Sequence, residues 1–493
     1  MLKRNRDPGK ILIIGSGVGG LSTGILLAKL GYPVTIVEKN ALAGGLMRGY
    51  CRLGYDCPVG VHYLGSLAAG QPFRQLWDCL GVTSDISLER MGVNGPIDRY
   101  VFDDFCFDLP EGLEAFEDNL RKSFPAEQAQ INAFMEGLKE VFQSFARLDM
   151  LTNTAGTAVS MESFSPMGDY LAQINCSPRL VSVLGVPATL IGVPLRDCPR
   201  FFYYMILASY LLSSWRLKES SSLMAETFVR RFQKLGGELL TGDGAKNILV
   251  DADCIHGLRL QSGREIAADT IIAAIHPRNV IPMLPGGSLR PDHVVRIEGF
   301  ENTKGLFVVT LAVDARGREA LPYNLYRLHP ETDGSLLHGL FLQIRKSAQQ
   351  NTLVLTMMAT SGIESWQPWI HTKSGQRGED YVEAKRKLAE TFIDEAKALF
   401  GPLQEMKVID IYTPLTIRDW VGSPEGSAYG IMRSSDQLMK TICLNRPSIA
   451  GLYFAGQNIL APGIMGTTLG SFQTVRRIIG QYRFGREVLE GRC

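Results

Sequence analysis

Four apolar residues, Ile11-Leu12-Ile13-Ile14, run directly into Gly15-Ser16-Gly17-Val18-Gly19-Gly20, and this junction constrains the fold more than any other stretch. A short, wholly apolar run is the pattern of a parallel strand buried on both faces. Gly15, Gly17 and Gly20 stand at the spacing in which each glycine has its own task. The first makes the strand-to-helix turn, the second lets backbone approach a pyrophosphate, and the third lets helix pack on strand. A helix predicted from about Gly20 to Leu30 would offer its free N–H groups to that anion, with Ser16, Val18 and Gly19 completing the loop. A second strand, Val34 to Val37, ends at Glu38 and Lys39. Glu38 lies 18 residues past Gly20, where this fold places its ribose-binding carboxylate. An acid there, in place of an arginine, argues against a 2′-phosphate on the ribose.

A second glycine-rich block lies near the other end of the chain: Gly451-Leu-Tyr-Phe-Ala-Gly456-Gln457-Asn458, then Pro462-Gly463-Ile464-Met465-Gly466. The two blocks read as one nucleotide site closed by both ends. At 493 residues the chain exceeds one core and suggests two interleaved domains. A net charge of +1 gives no electrostatic case for nucleic acid. Nine cysteines without a C-x-x-C pair read as reduced thiols of a cytoplasmic protein, with no disulfide framework and no zinc site. Lys3, Arg4 and Arg6 before an apolar stretch imitate a signal peptide, but Asp7-Pro8-Gly9 interrupts the pattern. The longest strongly apolar run, Phe201 to Leu212, has 12 residues, too few to span a bilayer. A peripheral contact with the inner face of a membrane stays open.

Between the blocks, residues 110–215 read as mostly helical. Short strands follow from Glu238 to Ile275 after a helix over Leu223 to Leu235. Residues 286–445 read as a sheet, with strands at Lys304–Val313, Leu336–Ile344 and Thr352–Met358, carrying one amphipathic helix over Asp380–Leu399. A last helix is predicted from Gly466 to Ile479. The fold class is α/β, a Rossmann-type dinucleotide domain interleaved with an α+β substrate domain. Segments 1–85, 220–285 and 446–493 form the first. Segments 86–219 and 286–445 form the second, with a helical portion.

Further motifs carry a family resemblance. Ala43-Gly44-Gly45, followed by Arg48, resembles the second glycine pair of flavoprotein monooxygenases and amine oxidases. Gly54-Tyr-Asp56-Cys-Pro-Val59-Gly60-Val61-His62-Tyr63-Leu-Gly65 resembles a stretch beside the flavin ring in the saturase branch. Ala245 to Ile248 resembles the strand that meets the adenine, and Thr413 to Gly430 a segment facing the substrate tunnel. The chain thus resembles the flavin-dependent phytoene desaturase family, nearest its carotenoid isomerase and retinol saturase branch.

The resemblance implies a glutathione reductase/amine oxidase-like fold binding FAD. It also implies hydride exchange with carbon–carbon double bonds of a polyene or long-chain unsaturated lipid. Desaturation, saturation and isomerisation all stay open, and the His62 stretch favours the last two. With no second Gly-x-Gly-x-x-Gly, electrons would pass to or from an external quinone, oxygen or small carrier unless the reaction is redox-neutral. FAD would also meet Val59, Gly60 and Val61, with Met465, Gly466 and Thr467 offering N–H groups at the flavin pyrimidine edge. Gln457-Asn458 departs from the family's aspartate, and Glu219-Ser220-Ser221-Ser222 from its Gly-Gly pair.

His62 and Tyr429 are the catalytic candidates. His62 would protonate a carbon centre or orient a substrate hydroxyl or carboxylate. Tyr63 and Arg48 follow, and His276 reads as structural. No metal site is read. Two alternatives remain, a flavin amine oxidase and a non-catalytic isoprenoid-binding escort.

Overall fold

The computed structural model describes residues 9–146, 161–218, 220–336, 338–442, 444 and 449–490. The signal-peptide-like residues Lys3 to Pro8 and the Glu219 of the serine run lie outside them.

Ile11–Ile14 forms the centre of a five-stranded parallel sheet, with Val34–Glu38 on one side and Thr270–Ala273 on the other. Glu238–Thr241 and Leu452–Phe454 complete its edges. All four residues of the first strand are buried, which is why its sequence does not alternate. The register sets the geography of the site. Leu452–Phe454 lies beside Thr270–Ala273, so the late glycine block emerges next to the first loop.

A second, seven-stranded sheet is mixed. It takes Asp98–Val101 and Cys106–Leu109 from before the helical region, and Gly305–Asp314, Asn324–His329, His338–Lys346, Thr352–Ser361 and Lys407–Tyr412 from after it. Helices Gln128–Ala146, Pro178–Thr189 and Arg200–Leu212 pack on one another. Phe134, Leu184, Tyr203 and Leu207 from them share one core with Tyr100 and Tyr326 of the sheet. The apolar run from Phe201 therefore lies in a buried helix. No helix among the described residues is long and apolar enough to cross a membrane.

Two helix starts differ from expectation. The first helix spans Val18–Lys29, capped by Gly17, so its free N–H groups begin inside the glycine loop. The last spans Gly463–Ile479, a turn earlier than expected, because extended Pro462 serves as its N-cap and the chain winds immediately afterwards. The all-reduced expectation for cysteine also needs correction. Cys51, Cys57, Cys106, Cys176, Cys198 and Cys254 are free, but Cys79 is disulfide-bonded.

Candidate functional site

A cavity of about 340 Å³ lies beyond the carboxyl ends of the parallel strands, where open α/β sheets bind ligands. Its floor is the glycine loop, and each glycine has a separate physical reason. Gly15 adopts φ +96° at the strand-to-helix turn. A Cβ on Gly20 would overlap the Gly15 carbonyl, so this glycine sets how closely helix meets strand. Gly19 faces the far end of the chain, where a Cβ would stand 2.5 Å from the Gly456 Cα. The Ser471 hydroxyl of the last helix donates to the Gly19 carbonyl at 3.0 Å. Gly17 is different. Its φ of −64° suits any residue, and a Cβ there would meet no protein atom within 4 Å. The space beside it is open to the cavity.

Glu38 closes the second strand and lines the cavity. Its Oε2 accepts from the Ser16 N–H and hydroxyl at 3.1 and 2.6 Å. Its Oε1 accepts from the Asn40 N–H and Nδ2, both at 2.9 Å. This carboxylate therefore holds the loop in place as well as facing the cavity. Glu38→Ala would leave these donors in a buried corner, so we expect a loss of about 3 kcal/mol in unfolding free energy, read from denaturant midpoints. Weaker nucleotide binding should accompany it.

The other anticipated residues divide. Ser16, Val18, Lys39, Gly45, Gly60 and Val61 line this cavity, as do Ala245, Gly456, Gln457, Asn458 and Thr467. Met465 and Gly466 line a neighbouring cavity instead. Gly20, Gly44, Arg48 and Val59 line neither. Gly44 donates its N–H to the Ser16 carbonyl at 3.1 Å. Arg48 Nη1 donates to the Leu42 carbonyl at 3.0 Å, with the guanidinium over Trp420. The Val59 carbonyl accepts from the Tyr412 hydroxyl at 2.7 Å. Asn458 Oδ1 accepts from the Ile431 N–H at 2.9 Å, tying the amide to the Tyr429–Ile431 loop. Ser220 and Ser221 bond the Asp56 carboxylate. His276 caps a short helix through Nδ1 and meets Asn302 through Nε2.

The second cavity, about 280 Å³, lies between this site, the Arg200–Leu212 helix and the mixed sheet. Phe202, Met205, Ile206, Leu328, Phe341 and Met358 are among its walls, and among the described residues no Asp, Glu, Lys or Arg lines it. Gly60, Val61, Tyr429, Gly463 and Ile464 wall both cavities, so the two abut. His62 follows directly in the chain and lines the apolar side. Burial, with the Arg345 cation second, pushes its imidazole down to about 3, so the ring is neutral. Both ring nitrogens are buried and have no hydrogen-bond partner. Burial pushes the Tyr429 phenol up to about 12. Among the described residues no cluster of His, Cys, Asp or Glu could hold a metal.

Sequence reading missed the support beneath His62. The Tyr63 hydroxyl meets Asp98 Oδ2 at 3.1 Å and the Tyr326 hydroxyl at 2.9 Å. Asn324 Nδ2 donates to Asp98 Oδ1 at 2.9 Å. Gln343 Nε2 donates to Asn324 and to the His62 carbonyl. Asp98 and Tyr326 come from strands with no local motif to mark them.

A cavity walled by residues from both glycine-rich blocks, beside a second and largely apolar one, is the arrangement of a Rossmann-like dinucleotide-binding oxidoreductase. Residues 13–80 match the NAD(P)-binding Rossmann-like domain family. The chain is 23% identical to an all-trans-retinol 13,14-reductase of Danio rerio, over 93% of this chain and 84% of that protein. It is 22% identical to a 4,4'-diapolycopene oxygenase of a Methylomonas species, over 96% and 98%. The chain is thus similar over most of its length to proteins named retinol 13,14-reductase and carotenoid desaturase or oxygenase. Its architecture matches a putrescine oxidase variant with a TM-score of 0.66, over 95% of this chain and 98% of that one. At 12% identity that likeness concerns the fold alone.

Proposed function

We propose that the chain binds FAD and acts on carbon–carbon double bonds of an apolar polyene or long-chain unsaturated lipid. The observation that carries this reading is the shared wall. Gly60, Val61, Tyr429, Gly463 and Ile464 bound both cavities, so the ring end of a dinucleotide in one would face an apolar ligand in the other. FAD, when bound, supplies hydride exchange. Segments 1–85, 220–285 and 446–493 would hold it, with the glycine loop at the pyrophosphate and Glu38 at the ribose. Ala245 would meet the adenine, and Gln457 and Asn458 the ribityl chain. The free N–H groups of Gly463, Ile464 and Met465 stand at the start of the last helix. Its dipole would favour negative charge on the ring by roughly 0.5–1 kcal/mol.

His62 would orient the ligand as a neutral hydrogen-bonding group, its two free ring nitrogens completed by what binds. An imidazole held at about 3 is no store of protons near neutral pH. Amine oxidation is less well supported, because no described residue lining the apolar cavity is a carboxylate that could hold an ammonium group. Electrons would be exchanged with an external quinone, oxygen or small carrier unless the reaction is redox-neutral. The test is anaerobic photoreduction, then a panel of carotenoids, retinoids and unsaturated fatty acids read in both flavin states. Bleaching of oxidised flavin by a substrate identifies desaturation. Reoxidation of reduced flavin identifies saturation, and product with flavin still reduced identifies isomerisation. A protein that binds no FAD, or is inert to the whole panel, would overturn the reading.

A further inference from the structure

Saturating a carbon–carbon double bond adds one hydride and one proton, and His62 does not store that proton. Asp98 can. It opens the strand Asp98–Val101 and is 1% exposed. It makes no ion pair among the described residues. Asn324 satisfies Oδ1, while Oδ2 meets the Tyr63 hydroxyl, which in turn meets Tyr326. Tyr63 and Tyr326 both line the apolar cavity, whereas Asp98 stands behind them.

The surrounding groups leave Asp98 as the one member that titrates near neutrality. Arg216 approaches from the strand Ser214–Leu217, its own cation disfavoured first by burial, then supported by Glu89 and opposed by Arg345. Tyr63, Tyr100, Tyr210 and Tyr326 are all pushed up by burial and stay neutral. Burial pushes the Asp98 carboxyl up to about 7, against the lowering effect of Asn324, Tyr63 and Arg216. When Asp98 carries its proton, the hydroxyl chain reverses direction. Asp98 then donates to Tyr63 and Tyr63 to Tyr326, and the Tyr326 O–H is left free for the cavity.

We propose that Asp98, Tyr63 and Tyr326 form a proton relay from the protein interior to the reacting carbon in the apolar cavity. The relay rests on the polyene reading above. In saturation the Tyr326 O–H bond breaks and a C–H bond forms from the π pair of the double bond. Tyr326 takes a proton from Tyr63, and Tyr63 takes one from Asp98. FAD, held as proposed above, would in its reduced form supply the hydride for the neighbouring carbon, and an external two-electron donor would reload it. Asp98, left as a carboxylate, recovers its proton from water.

Asp98→Asn keeps the shape and the acceptor for Asn324 but cannot hold the exchangeable proton. Infrared difference spectra of the wild type should show a protonated carboxyl band that titrates near pH 7, absent from Asp98→Asn. The native carboxyl sits above its unfolded value of 3.8. Its contribution to stability is therefore full below about pH 4 and lost as pH rises through about 7, and Asp98→Asn should flatten that slope. With a polyene that the wild type reduces, Asp98→Asn and Tyr326→Phe should each lower turnover about 100-fold. Asp98→Asn should also abolish the decline in rate above pH 7. An unchanged band in Asp98→Asn, or wild-type rates and pH profiles in both variants, would overturn the relay. A wild type that binds FAD and shows the band, yet turns over no polyene, would instead overturn the polyene reading.

Discussion

Gly17→Val is expected to lower affinity for FAD at least 100-fold while leaving the melting temperature within a few degrees of wild type. The fold should tolerate valine because Gly17 has an ordinary φ of −64°, and no protein atom lies within 4 Å of the added Cβ. Gly17 caps the first helix with no side-chain bond, so no cap is lost either. The methyl groups would instead occupy the space through which the pyrophosphate approaches the loop, and a displacement of about 1 Å there is enough for a 100-fold effect. Gly20→Ala is the contrasting control. Its Cβ would overlap the Gly15 carbonyl, and the Gly15 N–H is fixed to the Val37 carbonyl at 2.8 Å. That variant should lose roughly 1–3 kcal/mol of stability. Thermal melts beside fluorescence titrations separate the two effects. Tight FAD binding by Gly17→Val would remove the pyrophosphate from this loop.

His62→Leu should show the opposite pairing, with activity lost and stability kept. Neither ring nitrogen has a protein partner, so an apolar side chain of similar volume removes a desolvation penalty and breaks no bond. Stability should hold or rise by about 1 kcal/mol. Turnover should fall about 100-fold, the size of one lost catalytic hydrogen-bonding group, with partial recovery in His62→Gln. The native imidazole lies at about 3 against 6.5 for the ordinary group. Its contribution to stability is therefore full above about pH 6.5 and lost as pH falls toward 3, since the unfolded chain takes up the proton first. The gap in melting temperature between pH 7 and pH 4.5 should narrow in His62→Leu. Wild-type turnover by His62→Leu would remove His62 from the chemistry.

The parallel sheet and its loop were legible because their signals are local. A strand buried on both faces reads as an unbroken apolar run, and Gly15 and Gly20 answer to one strand-to-helix junction a few residues long, whereas Gly19 answers to Gly456 at the far end of the chain. The mixed sheet was only partly legible. Asp98–Val101 and Cys106–Leu109 are four-residue strands carrying charge, and Arg99 pairs with Asp108 across them at 2.7 Å. Nothing local distinguishes such strands from polar loops. Asp98 reads as a surface residue until its parallel partner Asn324, 226 positions away, is in register beside it.

The apolar cavity was equally hidden, because Phe202 or Met205 in a core and in a cavity wall look alike in sequence. Motif resemblance pointed to segments that wall the two cavities but not to the direction of each side chain. Arg48 and Val59 thus lie in segments next to cavity-lining residues yet line neither cavity.

The most direct measurement is an equilibrium titration of ligand-free protein with FAD, followed by flavin fluorescence, with NAD and NADP as competitors. One FAD per chain with sub-micromolar affinity is expected, unmoved by excess NADP, because Glu38 faces the cavity where a 2′-phosphate would have to sit. A site that took NADP in preference, leaving FAD free in solution, would contradict the flavin assignment and the reaction built on it.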